Sequence, residues 1–349
     1  MKIALIGGAR PNFMKIAPLC WELSRQKIKY FLVNTGQHFS SNMSEDFFSE
    51  FKIQPDYSLK PSKKSVVKQF SDIMIDLEKI FEDEKPTVVI VVGDVNSTLA
   101  GALVANKMNI ALVHVEAGLR SYNRLMPEES NRILVDHLSD KLFVTSEGAV
   151  DNLKKEGLSE NIYVVGNVMM DTLESFLCDA GESQEHFYFC TLHRAENIDN
   201  KKIFIEILNA LEKIKEDAPI YFSLHPRTKK MAERFGLMGR MKIIFNLLDP
   251  LSYRQSVYYQ KNAQLVFTDS GGIQEETSYV GTPCITLRTE TERPVTVKLG
   301  TNTIGGITEK SILEVYRNKQ LKKKQTSIPY WDGRTAERII EIITTQYDA

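Results

Sequence analysis

The sequence predicts an α/β protein built of two Rossmann-like domains whose parallel sheets face each other across a cleft. Three observations carry this. The chain has 349 residues, too long for one ordinary core. Short β-branched runs alternate with helical stretches throughout, as in "KIALIGG", "TVVIVVGD", "IALVHVEA", "KLFVTS", "IYVVGN", "IYFSLH", "QLVFTD" and "CITLR". Two segments, "VVIVVGDVNSTLAGALVANKMNIALVHVEAG" and "LVFTDSGGIQEETSYVGTPCITLR", also repeat one plan of buried strand, terminal acid, small polar residues, helix, turn and strand.

The boundary is placed at Asn167 in "VVGNVMMDTL", giving an N-terminal domain over 1–167 and a C-terminal domain over 168–334. The basic stretch "NKQLKKKQTSIP" reads as a solvated linker. After it, "GRTAERIIEIITTQY" sets Ile339, Ile340, Ile342 and Ile343 on one broad helical face, so a helix over 335–349 is expected to return to the first domain.

Bulk composition narrows the function. Apolar residues make up 42%, enough for two cores, and 44 Lys plus Arg balance 45 Asp plus Glu. Net charge therefore points to neither nucleic acid nor an anionic membrane, and any anion site must be local. No apolar run approaches the roughly 18–20 residues of a membrane span. The start "MKIALIGGARPNFMK" reaches Arg10 and Lys15 too early for a signal peptide. Cys20, Cys178, Cys190 and Cys284 are dispersed and form no CxxC, so a reduced, cytoplasmic protein is expected.

In open α/β sheets ligands bind beyond the carboxyl ends of the strands, so those positions are taken in order. The first strand runs into "GGARPNFMK", where Gly7 and Gly8 permit a tight turn and Pro11 suits a helix start. Arg10 and Lys15 then stand where phosphate oxygens would lie. Neither G-x-G-x-x-G nor G-K-[ST] occurs, and no cofactor is expected. Asp94 ends "VVIVVGD" and Glu116 ends "IALVHVEA". His114 and Glu116 share a strand face, but no further ligands stand at metal spacing, and no metal is expected. In "EAGLRSYNRLMPEESNR", Pro127 starts a helix with Glu128 and Glu129 in its first turn, and Glu128 and Arg132 have the i, i+4 spacing of a surface pair. The crowding of Asp94, Glu116, Arg120, Arg124, Glu128 and Arg132 near strand ends points to acid/base work.

In the second half, "CTLHRAEN" ends a strand with His193, Arg194 and Glu196, and "YFSLHPRTKK" ends another with His225 and Arg227. Asp269 closes "QLVFTD", and Ser270, Gly271 and Gly272 turn into a helix whose free N–H groups suit a phosphate. Glu275 and Glu276 are read on the first turn of that helix. Carboxylates there would repel phosphate but accept hydrogen bonds from ribose hydroxyls, so the pattern reads as a nucleoside diphosphate site. Arg293 in "TETERP" is expected to return to the phosphates.

With these residues assembled, the chain resembles the non-hydrolysing UDP-N-acetylglucosamine 2-epimerases. The matching stretches are "GARPNFMKIAPL", "TGQH", "GDVNST", "HVEAGLRS", "MPEESNR", "LHRAEN", "TDSGGIQEE" and "TERP", in the family's order from residue 7 to 294. Val295, where the family has "RPE", and Ser256, where it often has an aromatic residue, depart from the pattern. The resemblance implies a GT-B-like fold and interconversion of UDP-GlcNAc and UDP-ManNAc, by anti-elimination of UDP to 2-acetamidoglucal and re-addition. It implies a UDP grip of Arg10, Lys15, His193, Ser270, Gly271, Gly272 and Arg293, a ribose contact at Glu276, and a catalytic group of Asp94, Glu116 and Glu128 with Arg132. His193 is also a candidate for the chemistry. A homodimer serving surface polysaccharide synthesis, with a UDP-sugar as its small-molecule partner, belongs to the same implication. Left open are a hydrolysing 2-epimerase giving ManNAc plus UDP, an epimerase of another UDP-HexNAc, a GT-B glycosyltransferase and a non-catalytic nucleotide-sugar sensor.

Overall fold

The computed structural model describes residues 1–37, 41–62, 64–318 and 323–347, with the side chains of 41–45 left out of the description. His38 of "TGQH", part of the "NKQLKKKQTSIP" linker and the last two positions of the helix expected over 335–349 lie outside the described residues. The chain forms two compact units, 1–172 together with 329–349, and 173–328.

The first unit is built on seven parallel strands. They are β1 (Lys2–Gly7), β2 (Lys29–Asn34), β3 (Tyr57–Ser58), β4 (Val88–Val92), β5 (Ala111–Ala117), β6 (Lys141–Val144) and β7 (Ile162–Val164), in the order β3-β2-β1-β4-β5-β6-β7. All five residues of β4 are fully buried, which explains why "VVIVV" is apolar without alternation: helices cover both faces of the sheet. Ile6 of β1 lies beside Val33 on one side and Val91 on the other. This core continues into Ile73, Leu77 and Phe81 on helix Val66–Glu84.

The second unit repeats the scheme with β8 (Tyr188–Thr191), β9 (Ile220–Ser223), β10 (Asn246–Leu248), β11 (Leu265–Thr268), β12 (Cys284–Thr286) and β13 (Asn302–Ile304), in the order β10-β9-β8-β11-β12-β13, again all parallel. Phe204, Ile207, Leu208 and Leu211, spaced at helical period on helix Lys201–Ile214, seal one side of this sheet.

In each unit the strand order reverses once, between β1 and β4 and between β8 and β11. Loops leaving such neighbours turn in opposite directions and open a crevice at the carboxyl ends. The residues that follow β1, β4, β8 and β11 are therefore the ones each unit offers to a ligand.

The last helix, Thr335–Tyr347, belongs to the first unit. Ile339, Ile340 and Ile343 are fully buried, with the helix packed on helix Arg10–Arg25. Ala336 donates its backbone N–H to Asp171 Oδ1 at 2.7 Å, which caps the helix start from the far end of the unit's sequence. Among the described residues, no helix is long and apolar enough to cross a membrane.

Candidate active site

In the first unit, the turn after β1 is organised by Asn12. Its side-chain oxygen accepts the Ala9 N–H at 3.1 Å, and its amide donates to the Val92 carbonyl at 3.0 Å, so the ends of β1 and β4 are stitched together. Gly8 must be small: a Cβ there would lie 1.9 Å from the Ser97 hydroxyl. Helix Arg10–Arg25 then presents Arg10 over the Phe47 ring, 5.2 Å from its centroid, and Lys15 in an ion pair with Glu116.

Glu116 is held in an unusual way. The register of β5 against β6 slips between Val115 and Ala117, and Glu116 in the slip has φ +73°. A left-handed glutamate costs on the order of 1 kcal/mol, and a bulge re-aims the side chain it carries. The bulge explains why His114 and Glu116, two apart on one strand, do not act together. His114 is fully buried, with Nδ1 2.6 Å from Asp136 and Nε2 2.8 Å from the Gly93 carbonyl. Among the described residues, no cluster of three or more His, Cys, Asp and Glu could hold a metal.

Asp94 follows β4 through Gly93, whose φ is +70°, and bonds to Arg132. Arg132 in turn holds Glu129 at 3.0 Å. The pairing of Arg132 with Glu128 expected from their spacing is not made. Glu129, one residue on, faces inward while Glu128 does not, and Arg132 takes the buried partner. Glu129 is 2% exposed and accepts the Ser121 N–H and hydroxyl, both at 2.9 Å, and the Tyr122 N–H at 2.8 Å. Burial pushes its carboxyl pKa up, but these donors and Arg132 outweigh it and hold the group below its ordinary value. Glu128 is half-buried and has no hydrogen bond or ion pair with a described residue. Arg120 and Arg124 do not join the group. Arg120 is buried against Asp136 at 2.7 Å and Glu156 at 2.6 Å, and Arg124 is exposed.

In the second unit, Asp269 is the organiser. It is fully buried and accepts the backbone N–H of His193 at 3.0 Å and of Arg194 at 2.9 Å, and the Asn197 amide at 3.1 Å. His193 Nδ1 lies 3.2 Å from the same carboxylate. Burial would raise the Asp269 pKa, and His193 with the two amides lowers it further than burial raises it. His193 Nε2 makes no bond to a described residue, and the ring is 37% exposed. His225 lies 5.4 Å away, ring to ring. Its own burial, then the neighbouring His193, push its pKa down, and its Nδ1 accepts the Arg227 N–H at 3.2 Å. Arg227 pairs with Asp199, and Glu196 pairs with Arg288 at 2.7 Å.

Ser270 caps helix Gly271–Val280 with its backbone extended and no side-chain hydrogen bond at the cap. A Cβ on Gly271 would meet nothing within 4 Å, and one on Gly272 only the Ser270 hydroxyl at 3.9 Å; neither has a positive φ. Neither packing nor backbone conformation requires glycine here, so the space at this helix N-terminus suits an anion pressed against the backbone. The helix begins at Gly271, which puts Glu275 and Glu276 in its second turn and not its first. The two also differ. Glu275 pairs with Arg293 at 2.8 Å, which occupies part of the arginine expected to reach a phosphate. Glu276 is buried, accepting from the Tyr253 hydroxyl at 3.0 Å and the Gln260 amide at 2.7 Å. Burial raises its pKa to about 7.

The structure thus gathers Lys15, Glu116, Asp94 and Arg132 in the first unit, and His193, Ser270, Gly271 and Gly272 in the second. Sequence reasoning overlooked Asn12 and Glu129, which hold the first-unit group, and Tyr253 and Gln260, which hold Glu276. The asparagine in "RPN" and the second glutamate of "PEES" were the available signals; nothing local marks Tyr253 or Gln260.

Comparison with known proteins shows the family and the fold. The family described as UDP-N-acetylglucosamine 2-epimerase matches residues 22–344. The UDP-N-acetylglucosamine 2-epimerase of Methanocaldococcus jannaschii is 40% identical, covering 99% of each chain. The UDP-2,3-diacetamido-2,3-dideoxy-D-glucuronate 2-epimerase of Pseudomonas aeruginosa is also 40% identical, over 98% of this chain and 99% of its own. A crystal structure of the M. jannaschii UDP-GlcNAc 2-epimerase in complex with UDP-GlcNAc and UDP superposes with a TM-score of 0.87, covering 99% of this chain and 100% of that one. The fold is thereby α/β with two Rossmann-like units, of the GT-B-like class.

Two stability measurements check the site. Gly271→Ala is expected to leave the unliganded protein as stable as before or about 0.5 kcal/mol more so, since the methyl meets no protein atom and alanine loses less entropy in a helix. Urea unfolding reads this, and a loss above about 1 kcal/mol would show that packing does require the glycine. Glu276→Gln addresses the buried carboxyl. Its folded pKa, about 7, lies above the ordinary 4.5, so the native state binds more protons than the unfolded chain between those values. The contribution of this one group to stability is then greatest below pH 4.5 and is lost as pH rises through 7. The glutamine variant is expected to be more stable than the parent at pH 8, by on the order of 2 kcal/mol, and to lose that advantage at pH 5. Equal stability at both pH values would refute the assignment.

Proposed function

Because the chain belongs to the UDP-N-acetylglucosamine 2-epimerase family, we propose that it interconverts UDP-GlcNAc and UDP-ManNAc without hydrolysis. The observation that carries this is Glu116, held in the left-handed region on Lys15 and next to the Gly93–Asp94 turn. Strain of that kind persists where a carboxylate must be aimed.

The C2 hydrogen of an N-acetylhexosamine is not α to a carbonyl, so it cannot be drawn off as an enolate. Elimination solves this. A base takes the C2 proton, the C–H electron pair becomes the C1=C2 bond of 2-acetamidoglucal, and the C1–O bond breaks with its pair leaving on UDP. In the return step a UDP oxygen attacks C1, and a proton is delivered to C2 from the opposite face. Two acid/base groups on two faces are needed, with a hold on UDP while it is detached. Asp94, Glu116 and Glu128 are the proposed acid/base groups. Arg132 orients Asp94, and Lys15 both orients Glu116 and offers charge to the diphosphate. Ser270, Gly271 and Gly272 take the leaving diphosphate on helix N–H groups, with Arg10, His193 and Arg293 adding side-chain donors. Glu276 accepts from the ribose hydroxyls.

The P. aeruginosa relative supports a second reading, an epimerase of another UDP-linked 2-acetamido sugar, because its identity equals that of the M. jannaschii enzyme. Proton NMR in D₂O decides. With UDP-GlcNAc, loss of the C2 proton and growth of UDP-ManNAc is the expected outcome. Free ManNAc and UDP would mean hydrolysis, and no exchange with UDP-GlcNAc but exchange with UDP-2,3-diacetamido-2,3-dideoxyglucuronate would favour the second reading. Asp94→Asn is expected to lower kcat by roughly 10²–10⁴-fold with UDP binding retained, and unchanged turnover would remove Asp94 from the mechanism.

A further inference from the structure

We infer that His114 is a positioning residue for the reaction, and that with Asp136 it fixes the backbone from which Asp94 and Glu116 are presented. This rests on the epimerase reading. The ring is sealed from solvent, so it touches no substrate, yet it lies where the two carboxylate-bearing segments meet. Its Nε2 is 2.8 Å from the carbonyl of Gly93, the residue before Asp94, and its own strand reaches Glu116 two residues later. Gly93 also donates its N–H to the Val115 carbonyl at 3.0 Å. Through His114 and Val115, the left-handed turn that carries Asp94 is thus fastened to the strand that carries Glu116.

The far side of the bulge is held by the same unit. Asp136, fully buried on helix Pro127–Leu138, takes His114 Nδ1 on one oxygen. On the other it takes the Gly118 N–H at 3.1 Å and Arg120 at 2.7 Å. Gly93, Glu116 and Gly118 all have positive φ, +70°, +73° and +76°. Glycine adopts this region freely, so the strain falls on Glu116, and His114–Asp136 contacts the segment on both sides of it. Burial raises the Asp136 pKa, while His114 and Arg120 lower it by more, so the carboxylate is a pure acceptor. The Gly93 carbonyl is an acceptor too. Both nitrogens of His114 therefore face acceptors, an arrangement that only a ring carrying both N–H protons satisfies. Asp136 and Glu156 both pair with the Arg120 guanidinium.

A brace differs from a core contact in what its loss does to turnover. His114→Gln keeps a polar side chain but offers donors from one atom only. In the folded full-length variant, kcat for UDP-GlcNAc is expected to fall roughly 10–100-fold, with KM within about twofold. The 2-acetamidoglucal released per UDP-ManNAc formed should rise, because a displaced acid fails to complete re-addition before the intermediate escapes. Asp136→Asn should shift the same ratio in the same direction. A folded variant with unchanged kcat would overturn the inference. So would a kcat lowered only in proportion to the fraction of chains binding UDP, with the release ratio unchanged. If neither variant folds, ¹⁵N-histidine spectra of the parent decide. A doubly protonated buried ring whose Nε2–H signal moves when UDP and 2-acetamidoglucal bind supports the brace; a singly protonated ring, or an unmoved signal, overturns it. The parent enzyme's own C2 exchange is the control: if the parent shows none, it is the epimerase reading that fails.

Discussion

Each unit is organised around one buried carboxylate that a strand-end turn cannot do without. In the first it is Asp136, bonded to His114, the Gly118 N–H and Arg120; in the second it is Asp269, bonded to the His193 and Arg194 N–H groups, the Asn197 amide and His193 Nδ1. Both are 0% exposed, which for a lone carboxylate would be prohibitive. The donors make the charge affordable, and in accepting them each aspartate fixes backbone that would otherwise be loose loop. The two differ in what becomes of the histidine. His114 is closed off with both nitrogens engaged, whereas His193 keeps Nε2 toward solvent. The same dyad serves as a brace in one unit and as a mount for an accessible group in the other.

Electrostatics in the first unit centre on two cations. Lys15 and Arg132 each take one proposed catalytic carboxylate, Glu116 and Asp94, while Glu129 shares the charge of Arg132. Glu128 is left without such a partner among the described residues, which leaves it open to a proton-transfer role. In the second unit the division is spatial. At the helix start a Cβ on Gly271 would meet nothing within 4 Å and one on Gly272 only the Ser270 hydroxyl, and the acids lie one turn further in. There the helix N–H groups are already used within the helix.

Much of this was legible in the chain. The strand runs, their acidic ends, the glycine turns and the repeated plan are local patterns, because a strand buried on both faces must be apolar along its length and a helix start must be capped or left for a ligand. They sufficed to name Asp94, Glu116, His193 and the Ser270–Gly272 turn. The choice between Glu128 and Glu129 was not legible, since both occupy the first turn of one helix and only the position of Ser121, Tyr122 and Arg132 distinguishes them. Nor was the fate of Glu275 and Glu276, adjacent in sequence but sent to Arg293 and to a buried Tyr253–Gln260 pocket.

The sequence by itself determined the two-unit parallel α/β plan, the family and the stations at the strand ends. The plan and the stations depend on hydrophobic period and turn chemistry within a few residues, and the family on the resemblance of whole motifs. Tertiary structure alone decided how those stations are aimed. The bulge at Glu116 arises from β5 running beside β6, the His114 brace from an aspartate 22 residues away, and the Asn12 stitch from a strand 80 residues on. A carboxylate's direction and charge depend on which donors surround it, and those donors come from distant segments that only the folded sheet brings together.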